Sequence, residues 1–423
     1  MKSYLSKRQF LKNLTGVAVL SQTNLSDLIQ LHEHLPAEKL AEDEQFWIKI
    51  REAYDVPKDF IHLENGYYSM ASKPVMQKYL AHIQAVNKVS SYYMRTRQFD
   101  DKMISRKKLA ELLGCSHEEL IITRNTTESL DTIIAGFDWK TGDEALMAEH
   151  DYGAMLDMFK LQAKRHGLTN KVISVPLHPK SDEEIVEVYE KAITPKTRLL
   201  MVCHLINITG QILPIKKITE MAHRYGVEVM VDGAHAFAHL NFKIDDLGGV
   251  DYYGSSLHKW LGNPLGAGIL YVRKDKIKPV WQMIGDMGYN DEDIRKLNHT
   301  GTHPVATDLA IVDAIEFHNM IGITRKEARL RYLQEYWTKK VRNIPNIIVN
   351  TPEESHRACG IANVGIKGMN PADLAKKLME EYKIFTVAIG YAGVFGVRVT
   401  PHLYITTKDL DAFVEALKQL AKM

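Results

Sequence analysis

Cysteine is scarce in this sequence, with three in 423 residues: Cys115, Cys203 and Cys359. Their odd number and wide spacing exclude a disulfide framework and a zinc cluster. Acidic and basic side chains nearly cancel, leaving a formal charge of +2, so nothing marks the chain for nucleic acid or a polybasic membrane contact. No apolar run approaches the length that spans a bilayer. A Walker-type Gly-Lys-Ser/Thr loop is missing too, which disfavours a nucleotide triphosphatase. What is left has the composition of an ordinary globular protein, long enough for two domains.

Strand and helix patterns alternate through the middle of the chain. Strand signals fall at Glu119–Thr123, Asp143–Ala148, Lys171–Val175, Thr197–Val202, Val227–Val231, Val250–Gly254 and Gly268–Val272, with helical runs at Asp101–Leu113, Leu130–Phe137 and Asp182–Ile193. That alternation predicts an α/β fold, a mainly parallel doubly wound sheet in a large domain. After a charged helix at Thr324–Arg342, short strands and the helices Pro371–Glu381 and Lys408–Leu420 predict a smaller C-terminal α/β domain. The boundaries expected are residues 1–42 (leader), 43–75 (N-terminal segment), 76–322 (large domain) and 323–423 (small domain).

The chain is organised around residues 227–272. A β-branched run ends on Asp232, where open α/β sheets place their ligands, beyond the strands' carboxyl ends. The next strand leads into Ser255, Ser256, Leu257, His258 and Lys259, so an amine and a carboxylate come off neighbouring strands. An amine that forms a Schiff base with an aldehyde cofactor needs such a carboxylate to keep the ring nitrogen protonated. Upstream, a strand followed by Thr126, Thr127 and a helix is a recipe for holding an anion on first-turn N–H groups.

Asp232-Gly233-Ala234-His235 followed by Ser256-Leu257-His258-Lys259 resembles the pyridoxal 5'-phosphate (PLP) site of class V aminotransferases, closest to their isopenicillin N epimerase-like branch. The likeness runs from about Phe60 to the C-terminus. It implies the fold type I architecture of PLP-dependent transferases, with Lys259 as the Schiff-base lysine and Asp232 on the ring nitrogen. It also implies Thr126 and Thr127 on the phosphate, Ser256 and His258 among the cofactor-binding residues, Asn207 on the phenolic oxygen, and His235 there or at the substrate. Tyr152 is expected to stack on the ring, with His150 as the alternative. Arg398, on the strand Val394–Val399, matches the arginine that grips a substrate carboxylate, as a guanidinium fork does. Asn65 and Tyr68 fall in a segment that crosses the site near the substrate. Thr302 would reach the cofactor of a neighbouring subunit, which makes the protein a homodimer with shared sites.

The shared chemistry is proton abstraction at the α-carbon of a small-molecule amino acid substrate. An epimerase or racemase is the first expectation, a class V aminotransferase or β-lyase the alternative, and a silent PLP-fold binding or regulatory protein a remote one. An epimerase needs a second acid/base opposite Lys259, for which Tyr68, His204 and His402 are candidates. Cysteine desulfurase chemistry is set aside, because no cysteine lies in Val387–Val397 before Arg398 and Cys359 reads as core. Ser6–Lys12 resembles a twin-arginine export signal with its first arginine replaced by lysine. Its apolar stretch, Leu14–Leu20, is short and no clear cleavage site follows, so the cytoplasm is the first expectation and export the alternative.

Overall fold

The structure, a computed structural model, describes residues 19–422. The Ser6–Lys12 run and most of the apolar stretch after it lie outside the described residues. In chain order the strands are β1 (Ile61–His62), β2 (Leu120–Thr123), β3 (Glu144–Ala148), β4 (Thr169–Ile173), β5 (Thr197–Cys203), β6 (Glu228–Asp232), β7 (Tyr252–Ser256), β8 (Gly268–Val272), β9 (Ile347–Val349), β10 (Ala362–Ile366), β11 (Ile384–Phe385), β12 (Val387–Tyr391) and β13 (Val394–Val399).

Seven of these form the large sheet, in the order β2-β8-β7-β6-β5-β3-β4. The neighbours from β4 to β7 pair in parallel, while β8 runs against both β7 and β2. The reason lies in the residues. In β6, Val229 and Val231 join the apolar cluster on one face while Met230 joins the cluster on the other, so the strand is covered on both sides. This is the doubly wound α/β architecture that the sequence predicts.

The small lobe carries the antiparallel sheet β12-β13-β10-β9. The N-terminal segment is stitched onto it: β1 pairs in parallel with β11, and Glu64 bridges to Thr400. Residues 61–65 therefore belong to the wall between the two lobes.

Several boundaries differ from expectation: the strand expected at Lys171–Val175 is Thr169–Ile173, the helix expected from Asp101 begins at Gln98, and two further differences bear on the site. The packed fold begins before residue 42, because Leu25, Ile29, Leu40 and Ala41 are all buried. The Arg329 guanidinium, itself buried, donates to the Ala41 carbonyl at 2.8 Å. The helix expected from Leu130 begins at Thr126, since the Asn125 side chain accepts from Glu128 N and caps it there. Among the described residues, no helix is long and apolar enough to cross a membrane.

Candidate active site

Three neighbouring strands, β5, β6 and β7, end side by side on Cys203, Asp232 and Ser256. Beyond them lies a cavity of about 240 Å³, roofed by the N-terminal segment and the small lobe. Its lining contains Thr126, Thr127, Tyr152, Asn207, Asp232, His235, Ser256, His258, Lys259, Tyr68 and Arg398. Residues spread from 68 to 398 thus converge where the sheet changes winding.

At the floor, Asp232 is buried, and its Oδ1 accepts from Ala234 N at 2.9 Å. Burial raises its carboxyl above the usual range, opposed by that hydrogen bond and by the charge of Lys259. Gly233 is required beside it: a Cβ there would sit 2.0 Å from Tyr253 Cζ. One residue on, the chain turns and presents His235.

Lys259 is held by its backbone. Its carbonyl accepts from the Ser69 hydroxyl, tying the turn after β7 to the N-terminal segment. Its Nζ lies 3.1 Å from His235 Nε2. The other nitrogen of that ring, Nδ1, accepts from the Trp260 indole at 3.4 Å. An indole N–H only donates, so the His235 proton sits on Nε2 and points at the lysine, which must receive it as a neutral amine. Burial, with the nearby charges of Lys259 and Arg398, keeps His235 well below the usual histidine range. Burial likewise brings Lys259 down to about 8, against the pull of Asp232. The ring's tautomer favours the uncharged amine, and burial eases the loss of the lysine's proton, which is complete only above about 8.

A polar cradle closes one end. Thr126 N donates to Ser256 Oγ at 2.9 Å, and the two hydroxyls sit 2.6 Å apart, at the start of the helix Thr126–Gly136. Thr127 and His258 line the same cavity. Tyr152 forms part of the wall, whereas His150 is 1 % exposed and its Nδ1 accepts from Val175 N. The ring that can face a planar group is therefore Tyr152.

At the other end stands Arg398. Its Nε and Nη2 donate to the two carboxylate oxygens of Glu64 at 2.9 and 2.6 Å, and Nη1 donates to the Asn207 carbonyl at 3.3 Å. Glu64 is not an expected site residue. Only contact between positions 334 apart reveals it, and no local pattern does. Trp260 is the other residue missed; it follows Lys259 directly, but its role needs the folded turn.

Two expected residues lie elsewhere. Asn65 is not in the lining: its amide donates to the carbonyls of His62 and Thr400, and its oxygen accepts from Tyr404. It braces the wall, because the Asn-Gly turn points the side chain toward the small lobe. Thr302 lines a separate cavity of about 470 Å³ with Phe99, Arg106 and Arg295, outside the Lys259 site of its own chain. Of the candidate second bases, Tyr68 lines the site, His204 packs on Phe242 and Tyr253, and His402 stacks on Trp260.

The residues fit PLP by their own chemistry. A buried carboxylate needs a cation to repay its desolvation, which a protonated ring nitrogen supplies. An amine that burial makes easy to deprotonate suits the aldehyde, the hydroxyl cradle at a helix start suits a phosphate, and Tyr152 offers a flat wall. Fold and donor set together define a fold type I PLP enzyme.

The family model for aminotransferase class V matches residues 69–413, and the chain belongs to that family. It is 27 % identical over 399 residues to isopenicillin N epimerase of Amycolatopsis lactamdurans, covering 89 % of this chain and 99 % of the relative. It is 28 % identical over 336 residues to a probable cysteine desulfurase of Halalkalibacterium halodurans, covering 74 % and 81 %. Among solved structures, the apo cysteine desulfurase of Thermococcus onnurineus NA1 superposes with a TM-score of 0.78 at 21 % identity, over 88 % of this chain and 97 % of that one. That likeness carries the fold alone.

Proposed function

We propose that this enzyme moves a proton on the α-carbon of an amino acid, and that epimerisation is its reaction. The observation that carries the proposal is the Trp260–His235–Lys259 chain, which presents to the cavity an amine that readily gives up its proton. When bound, PLP supplies an electron-poor ring that acidifies the α-hydrogen of an amino acid joined to it. Asp232 would hold the proton on the ring nitrogen; Thr126, Thr127, Ser256 and His258 would hold the phosphate; Tyr152 would cover the ring and Asn207 its phenolic oxygen. Lys259 Nζ takes the α-proton from one side. Arg398 fixes the carboxylate, so the α-carbon has one orientation toward that nitrogen.

Tyr68 is the proton donor for the opposite face. It alone of the three candidates from the sequence lines the cavity, and its phenol stands above the usual range, chiefly through a hydrogen bond with Tyr67. Desulfurase chemistry finds less support. Cys359 is buried and pushed up to about 12, and the Cys203 thiol, although at the cavity, is buried and held well above the usual range by burial and neighbouring acids. Neither is an available thiolate. The enzyme works as a homodimer, with Thr302 of each copy completing the other's phosphate site.

The test is incubation of the holoenzyme with single amino acids in deuterium oxide, following α-hydrogen exchange, chirality and keto acid. Exchange with inversion is expected. Exchange with retention, and keto acid only when an acceptor is added, would make it an aminotransferase, and loss of a β-substituent a lyase. Lys259→Ala should abolish exchange; normal turnover by that variant would remove the mechanism.

A further inference from the structure

His239 does not line the cavity, yet it is fully buried and both of its ring nitrogens are engaged. It follows His235 by four residues, in a turn that brings its ring back against that residue. Ala238 makes the bend at φ +59°, a left-handed conformation that residues with a side chain seldom adopt. Within the turn the carbonyls of Gly233 and Ala236 accept backbone N–H groups, whereas the carbonyl of His235 is paired with the His239 ring.

The partners settle where the ring proton lies. Gly360, in the small lobe just before β10, donates its N–H to His239 Nε2 at 2.9 Å. Nε2 therefore carries no hydrogen, and the proton sits on Nδ1, which donates to the His235 carbonyl at 2.7 Å. Burial, with Lys326, Arg331 and His204 nearby and only the bond to His235 opposing, keeps the ring well below the usual histidine range, so it stays neutral. Its face stacks on Trp260 with centroids 3.7 Å apart. A Cβ at position 360 would stand 3.0 Å from His239 Nε2 and 3.1 Å from Trp260 Cη2, so glycine is what lets the small-lobe backbone come this near.

We infer that His239 is a positioning residue for the active-site amine: its Nδ1–H, set by Gly360 of the small lobe, holds the His235 carbonyl and so keeps the His235 proton aimed at Lys259. The small lobe stands at one end of this line and the lysine at the other. Loss of the bond frees the loop, lets the His235 ring turn a lone pair toward Lys259, and favours the ammonium. The inference rests on Lys259 as the reacting amine, and on no particular fate of the α-proton.

The test follows the pH dependence with which the full chain, freed of cofactor, reacts with pyridoxal at Lys259, the product being trapped by borohydride and located by peptide mass. Asp232, Arg398, Glu64, Cys203, His235 and His258 face that amine and are the same in every variant compared. His239→Gln keeps an acceptor for the Gly360 N–H but places no donor at the His235 carbonyl, and should move the midpoint from near 8 up by about 1 pH unit. His239→Asn keeps that donor, gives up the contact with Gly360, and should stay within about 0.3 unit of the wild type. Should the glutamine variant not fold, His239→Met fills the space without a donor and should shift the midpoint the same way. Equal midpoints in His239→Gln and the wild type, or equal shifts in the glutamine and asparagine variants, would reduce His239 to packing and overturn the inference. No reaction at Lys259 in the wild type would overturn the assignment of the lysine itself, and the inference with it.

Discussion

Lys259 and Arg398 face the same cavity, yet the fold treats the two cations in opposite ways. Lys259 has a histidine at its nitrogen and no carboxylate in hydrogen-bond contact among the described residues. Arg398 is gripped through two nitrogens by Glu64, both partners buried, with Glu64 held in turn by Tyr67 N at 2.9 Å. The first arrangement strips a charge so that the group can react. The second preserves a charge so that the group can hold. Glu64 takes the Nε side of the guanidinium and leaves the Nη1 end beside Asn207, which lines the cavity as Arg398 does.

That contrast is open to attack at several points. Asp232→Asn should do most damage, lowering kcat by roughly 10³-fold, because an amide cannot stabilise the ring proton; steady-state α-hydrogen exchange measures it. Arg398→Lys should raise KM about 10- to 100-fold with a smaller change in kcat, since a point charge cannot reproduce the fork.

Glu64→Gln sharpens the comparison. It leaves Arg398 charged and half-paired in a buried place, which should cost on the order of 3 kcal/mol in denaturant unfolding. A rise in KM of about tenfold at nearly constant kcat should accompany that cost. If Glu64 were only a structural brace, stability would fall and KM would not.

The pH dependence is the finest probe. Lys259 is charged below about 8 and neutral above it, so its reaction with pyridoxal in the apoenzyme should rise with pH through a midpoint near 8. For stability the sign is the same. Between that pH and the ordinary lysine range the unfolded chain holds a proton that the folded one does not, so stability rises with pH across the window and is flat below it. Trp260→Phe frees His235 Nδ1 to carry the proton, turns a lone pair toward Lys259, and should move the midpoint up by about 1 pH unit.

How much of this was legible in the sequence depends on the distance over which each feature is decided. Asp232, His235 and Lys259 sit at the ends of adjacent strands whose apolar runs and glycine turns are local signals, and the structure brings them to one cavity as expected. The parallel sheet was legible for the same reason. Arg398 was legible as a residue but not as a pair, because Glu64 reaches it only after the N-terminal segment docks on the small lobe. Asn65 misled because an Asn-Gly turn states that the chain bends, not which way the amide then points. The boundary at residue 42 misled because a basic, weakly apolar N-terminus hides that Leu40 and Ala41 are buried against the rest of the fold.

The ring of Tyr253 pressed under Gly233 has a practical consequence for anyone reshaping the enzyme. Even one methyl at position 233 collides with an aromatic side chain that is itself fully enclosed, so the loop from 232 to 235 cannot be diversified piecemeal. Libraries aimed at new substrates belong at the mouth, where Tyr67 stands half open to solvent, with Tyr68 kept for its proton, and any variant at 233 should be sought only together with a smaller residue at 253.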